Sequence, residues 1–99
     1  MMSVLNQQLP EAIEGNMISP RLNFQTGRFA SSVRVTDISM TAKGFPSIGY
    51  TYMLGPYQTF EPGFAQGSVE RDPRKLIDLS IRELAVQFAT TRFYTRRVQ

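Results

Sequence analysis

Apolar side chains fall at steps of four near the start of the chain, at Leu5, Leu9, Ile13 and Met17, the spacing that lines one face of a helix. Pro10 interrupts that stripe, because inside a helix it has no N–H to offer and its ring meets the carbonyl of Asn6. The pattern therefore predicts a short helix over 10–17 that starts at Pro10, with Glu11 and Glu14 in its first turns, where the macrodipole favours carboxylates. Ser19-Pro20 ends it. Arg21 to Gln25 reads as irregular, anchored by Leu22 and Phe24. Thr26 then caps a single helical turn from Gly27 to Ser31, with Phe29 pointing inward.

Alternation takes over at Ser32 and continues to Thr41, but it changes phase: Val33 and Val35 share one face, Ile38 and Met40 the other. A bulge near Thr36-Asp37 accounts for the change, as does a strand covered on both faces. Lys43-Gly44-Phe45-Pro46 is a turn. Ile48, Tyr50 and Tyr52 alternate with Ser47, Gly49, Thr51 and Met53, which predicts a second strand and a β-hairpin over 32–53. Gly55-Pro56 breaks the strand, and Tyr57 to Phe60 reads as a short extended or helical piece packed on the core.

Residues 61–71 carry Gly63, Gly67 and Pro62 without periodicity and read as a loop. Phe64 in that loop is either a plug on its own domain or an anchor into a partner. Asp72-Pro73 is a helix start, with Asp as N-cap and Pro at the first helical position. Ile77, Ile81, Leu84, Ala85 and Phe88 give this helix, over 73–91, an apolar stripe directed at the hairpin, and Asp78 and Arg82 pair outside it. Leu76, Leu79 and Val86 widen the apolar surface toward a neighbouring subunit. The expected fold is a single α+β domain over 1–99: a small twisted antiparallel sheet against a long C-terminal helix, with a short N-terminal helix. Only two strands are evident, so a neighbour is expected to complete the sheet.

Composition narrows the chemistry. The 99 residues include no Cys and no His, which removes disulfides, thiolate and imidazole catalysis, and the common zinc ligand sets. No glycine pattern matches a phosphate or dinucleotide loop. The carboxylates are scattered, only Glu61 and Glu70 flank one loop, and no serine has an activating partner, so neither an enzyme nor a metal or cofactor site is expected. The first residues predict no secretory leader, and no run approaches the length of a membrane span.

The net charge is +3, with Arg92, Arg96 and Arg97 near one end and Glu11 and Glu14 near the other. Head-to-tail contact between copies would join these charges; solvated termini are the alternative. Arg92, Phe93, Tyr94, Arg96 and Arg97 also interleave cations with aromatics, as nucleic-acid tracks do, although cations closing a helix complement its dipole just as well. A small basic nucleic-acid-binding module is therefore the rival function.

The segments Thr26-Gly27-Arg28-Phe29 with Ser31-Ser32-Val33, Tyr57 with Phe60-Glu61 ahead of the glycine loop, and Asp72-Pro73 opening the last helix occur in an order that resembles the tail-completion or neck family of tailed bacteriophages. The resemblance implies a non-enzymatic α+β virion subunit, assembled in the host cytoplasm as a ring at the head–tail neck or the tail end. Its partners would be copies of itself and other head, neck or tail proteins, with passing contact with DNA. Interface residues are then expected at Phe45, Phe64, Arg92, Arg96 and Arg97, and Arg28 is expected to pair with Glu61 and hold the loop.

Overall fold

The N-terminal helix, α1, runs Met2–Asn16 with Pro10 inside it, so it is not short. The computed structural model describes residues 2–17, 27–64 and 67–98. Leu5, Leu9 and Ile13 are fully buried and Met17 nearly so. Burying one such aliphatic side chain is worth about 1.5–3 kcal/mol, so Leu5 and Leu9, both ahead of the proline, together offset its cost of about 3 kcal/mol. The stripe therefore overrides the breaker. Glu11 and Glu14 lie in the later turns of α1, away from the positive end of its dipole.

The first short helix after it, α2, spans Arg28–Ser32, one residue beyond the expected turn, and Phe29 points inward at 1 % exposure. Thr26, its expected cap, lies outside the described residues, as do Ser19-Pro20, Leu22 and Phe24. Strands β1 (Arg34–Met40) and β2 (Pro46–Thr51) form the antiparallel hairpin, and the register slips between Val35 and Asp37. The extra residue is Thr36, so a bulge explains the phase change: Val33 and Val35 are buried, while Met40 is exposed. Ser32 Oγ accepts from the Met53 N–H at 3.1 Å and donates to the Phe29 carbonyl at 2.6 Å, which joins the ends of α2 and the hairpin.

A kinked turn, α3 (Leu54–Tyr57), and a 3-10 turn over Gln58–Phe60 carry the chain toward α4 (Pro73–Ala85). Asp72 caps α4 by accepting from the Arg74 N–H at 2.9 Å, with Pro73 at the first helical position. The helix tightens over Val86–Phe88 and stops at Ala89, whose φ of 56° is left-handed, rather than at 91. Ile77, Ile81 and Ala85 are fully buried and Leu84 and Phe88 partly so. This stripe packs most extensively against α1, with Asn16 Nδ2 donating to Ser80 Oγ at 3.1 Å and Ser80 donating to the Leu76 carbonyl at 2.9 Å. Leu76 is part of the chain's own core, whereas Val86 is 66 % exposed.

The arginine-rich segment is a strand, not a helix end: β3 (Tyr94–Arg97) lies parallel to β2, giving the order β1-β2-β3. The sheet is therefore mixed, and its third strand comes from the chain itself. Parallel neighbours need a long crossover, and α4 supplies it. Phe93 is 5 % exposed, and its ring lies 4.5 Å from the Arg82 guanidinium. Phe29, Val35, Ile48, Tyr50 and Tyr52 complete one core shared by the sheet, α1 and α4.

One polar contact fixes α1 on the outer strand. Asn6 Oδ1 accepts from the Val35 N–H at 2.7 Å and Asn6 Nδ2 donates to the Val35 carbonyl at 3.0 Å, so the side-chain amide takes the place of a fourth strand there. Asn6→Ala leaves both backbone groups unpaired and is expected to lower stability by about 1–3 kcal/mol in urea unfolding. An unchanged unfolding midpoint would remove Asn6 from the forces that seat the helix.

Candidate functional site

Glu61 begins the glycine loop, yet it is 2 % exposed. Its carboxylate meets the Arg97 guanidinium through two contacts, Nε to Oε2 at 2.9 Å and Nη2 to Oε1 at 3.2 Å. Tyr52, at the end of β2, donates its hydroxyl to the same carboxylate. Arg74 stands 3.9 Å from it and pairs with Asp72 at 3.0 Å. A loop, a strand end, β3 and the start of α4 thus converge on one carboxylate, and the cation bound to it is Arg97. The loop is shaped around this point: Gly63 has φ 95°, and a Cβ on Gly67 would collide with the Glu61 carbonyl.

Next to this cluster, Tyr50, Asp72, Arg74, Asp78, Thr95 and Arg97 line an open cleft of about 440 Å³ between α4 and the sheet. Thr95 donates to Asp78 at 2.6 Å, and Asp78 also receives Arg82 at 2.9 Å, the pairing expected from their spacing. On the other face of the sheet, Arg96 reaches across β2 to Asp37 at 2.7 Å and Ser39 at 3.3 Å. Gly49 lies under that bridge, where a Cβ would collide with both charged side chains.

Burial pushes the Tyr50 hydroxyl well above the usual tyrosine range. Burial does the same to Tyr52, with the hydrogen bond to the Glu61 carboxylate adding to it. Arg74 is raised chiefly by its hydrogen bond to Asp72. These are the properties of a polar lock: the carboxylate accepts from the Tyr52 hydroxyl and from Arg97 Nη2, the buried Arg97 Nε is held there by charge rather than by a hydrogen bond, and the tyrosines stay protonated. Among the described residues no three His, Cys, Asp or Glu side chains are grouped to hold a metal ion. No helix is long and apolar enough there to cross a membrane.

The structure separates the sequence-predicted interface residues. Arg96 and Arg97 turn onto carboxylates of their own chain, while Arg92 is exposed. Phe64 is 48 % exposed at the loop tip. Phe45 is partly covered and packs edge-on against Tyr94, 6.5 Å between centroids. Gly27, Phe29, Asp72 and Pro73 have structural roles in starting α2, filling the core and starting α4. The Tyr52–Glu61 link has no local signature; its one trace is an acidic residue placed at the start of a glycine loop nine positions after a strand tyrosine.

Residues 7–93, from the second turn of α1 to the buried Phe93, match the family model described as Bacteriophage T5 tail completion protein p143. This chain belongs to that family. A p143-family relative, the tail completion protein p143 of Escherichia phage T5, is 35 % identical over 86 residues, covering 73 % of this chain and 34 % of that protein. The chain thus spans about a third of the length of the curated relative it matches. No solved structure matches the chain. The p143 match ends one residue before β3, so the strand that supplies Arg97 follows the matched region directly.

Removing one partner of a buried ion pair leaves the other charge uncompensated, which costs about 3–5 kcal/mol. Glu61→Ala is expected to lose about that much stability and to expose the loop to protease, whereas Tyr52→Phe, which keeps the ion pair, is expected to lose about 1–2 kcal/mol. Equal losses for the two variants would show that the hydroxyl, not the arginine, is the main partner. A second expectation concerns alkali. Tyrosines in the unfolded chain ionise near pH 10, whereas Tyr50 and Tyr52 resist ionisation in the folded chain, so the unfolded state binds fewer protons above that pH. Stability is therefore full below about pH 10 and falls as the pH rises beyond it, with a shallower fall in Tyr52→Phe. Urea midpoints from pH 8 to 11, with tyrosinate absorbance, measure this; a flat profile would mean that both hydroxyls ionise freely in the fold.

Proposed function

We propose that this chain is a structural, non-enzymatic subunit of a tailed-phage virion that works as a ring of copies at the tail end or the head–tail neck, in contact with other head, neck or tail proteins. The observation that carries this reading is the family match over 7–93. The surface is compatible with it: Met40, Phe64, Val69 and Tyr94 are each 47–67 % exposed and available for contact with other subunits. The nucleic-acid reading gains less from the geometry. Two of the three terminal arginines are committed to Asp37 and Glu61, so changing them to alanine is expected to unfold the sheet edge rather than to abolish DNA contact alone.

Placement is tested by raising antibodies to the purified chain and gold-labelling particles of the phage that carries the gene. Label confined to the tail end or neck, together with rings of the purified chain in negative stain, is the expected result. Particles that lack the polypeptide altogether would overturn the virion assignment.

A further inference from the structure

The charged groups divide into those used inside the chain and those left over. Asp37, Glu61, Asp72 and Asp78 all carry ion pairs. Glu11, Glu14, Glu70, Glu83, Arg34, Lys43, Lys75 and Arg92 are exposed and have no side-chain hydrogen-bond or ion-pair partner among the described residues. Two of the unpaired carboxylates share one place, with Glu70 elsewhere on the glycine loop: Glu11 and Glu83 line a groove of about 490 Å³ between α1 and α4, with Gln8, Ala12, Gly15, Asn16 and Leu84. Nothing would meet a Cβ at Gly15, so the groove is open there. Glu14, also exposed, follows Glu11 by one turn.

Two of these four exposed, unpaired cations share another place, while Arg34 lies at the start of β1 and Lys75 on α4. The β1–β2 turn and the start of β3 lie together at one end of the sheet, since Met40 pairs with Pro46 and Ser47 with Tyr94. Lys43 is in that turn, and Arg92 precedes Tyr94 by two residues. At the same end lie Met40, 67 % exposed, on one face of the sheet and the Phe45–Tyr94 pair on the other. One end of the molecule is therefore an apolar tip edged by two cations, and its helical layer holds a groove edged by carboxylates.

We propose that the hairpin tip of one copy docks in the α1–α4 groove of the next, Lys43 and Arg92 meeting Glu11 and Glu83, as the repeating contact of the assembly. This rests on the ring-subunit reading and names its interface. The contact joins two different surfaces, so it is heterologous and propagates head to tail, closing where the rotation between copies allows. Arg96 and Arg97 take no part in it, because they hold the sheet together.

Charge reversal tests the pairing at exposed positions that leave the core untouched. The groove-reversed variant is Glu11→Lys with Glu83→Lys; the tip-reversed variant is Lys43→Glu with Arg92→Glu. Circular dichroism checks that each is folded, and sedimentation velocity and negative-stain imaging read assembly. Each variant alone is expected to associate at least about tenfold more weakly than the wild type, because like charges now face each other. An equimolar mixture restores complementarity at every junction and is expected to recover assembly with the two variants alternating. If both variants assemble as the wild type does, or if mixing fails to restore assembly, this contact is wrong while the ring reading stands. A wild-type chain that stays monomeric at every concentration and salt tested overturns the ring reading and this contact together.

Discussion

The buried Glu61–Arg97 pair, with Tyr52 donating to the same carboxylate, is the constraint on which the rest of the molecule depends. Hydrophobic burial seats α1 and α4 on the sheet, but it is non-directional and leaves the last strand undetermined. The Arg97 guanidinium meets this carboxylate through one hydrogen bond from Nη2 and a close ionic approach of Nε, which ties β3 to the loop at a defined distance. Burying that pair costs desolvation, so its net contribution to stability is small compared with the penalty for separating it. What it supplies is definition. The loop end, β3 and the cap of α4 take one arrangement because only that arrangement brings every donor to Glu61. Asp72 links this cluster to the helix start, since its carboxylate both caps α4 and holds Arg74.

Parts of this fold were legible in the residues because their causes are local. Asp72-Pro73 names a helix start through capping chemistry and fixed φ, and α4 begins there. The change of phase between Val35 and Ile38 marks the irregularity and leaves a bulge or a strand covered on both faces; the register slip at Thr36 shows the bulge. Phe29 and the Asp78–Arg82 pair follow from spacing in the same way. The misreadings lie where distant partners decide. Pro10 breaks helices in isolation, but the aliphatic stripe that outweighs it is rewarded only once the sheet and α4 are in place. Tyr94 to Arg97 offers four residues with no apolar alternation, and it becomes a strand through β2, Asp37 and Glu61, none of which is a sequence neighbour. For the candidate site, Phe64 and Arg92 lie exposed while Arg96 and Arg97 turn onto Asp37 and Glu61, a difference the charge pattern does not carry because it does not show which way a side chain turns.

Family membership and geometry agree on a division of labour within so small a chain. Four carboxylates, Glu61 buried and Asp37, Asp72 and Asp78 nearer the surface, hold the sheet and helices, and the remaining carboxylates lie on the surface. In this p143-family member the sheet is not left for a neighbour to complete. β3 occupies the open side of β2, and Asn6 covers the outer strand at Val35, so association through other surfaces, such as side chains on the tip and groove, does not need continuous strand pairing between subunits.

The parallel seating of β3 also sets an order of events during synthesis. Glu61 leaves the ribosome 36 residues ahead of Arg97, and the whole of α4 is made in between. Until the later segment arrives, the acid lacks its nearest counter-ion and has the Tyr52 hydroxyl and the more distant Arg74. The hairpin and the first helix form from nearby parts of the chain, but the sheet closes only when its last strand is present. Completion is therefore a late, long-range step, and a shortened product that lacks Arg97 is held back from the native arrangement by the loss of the nearest counter-ion of its own loop.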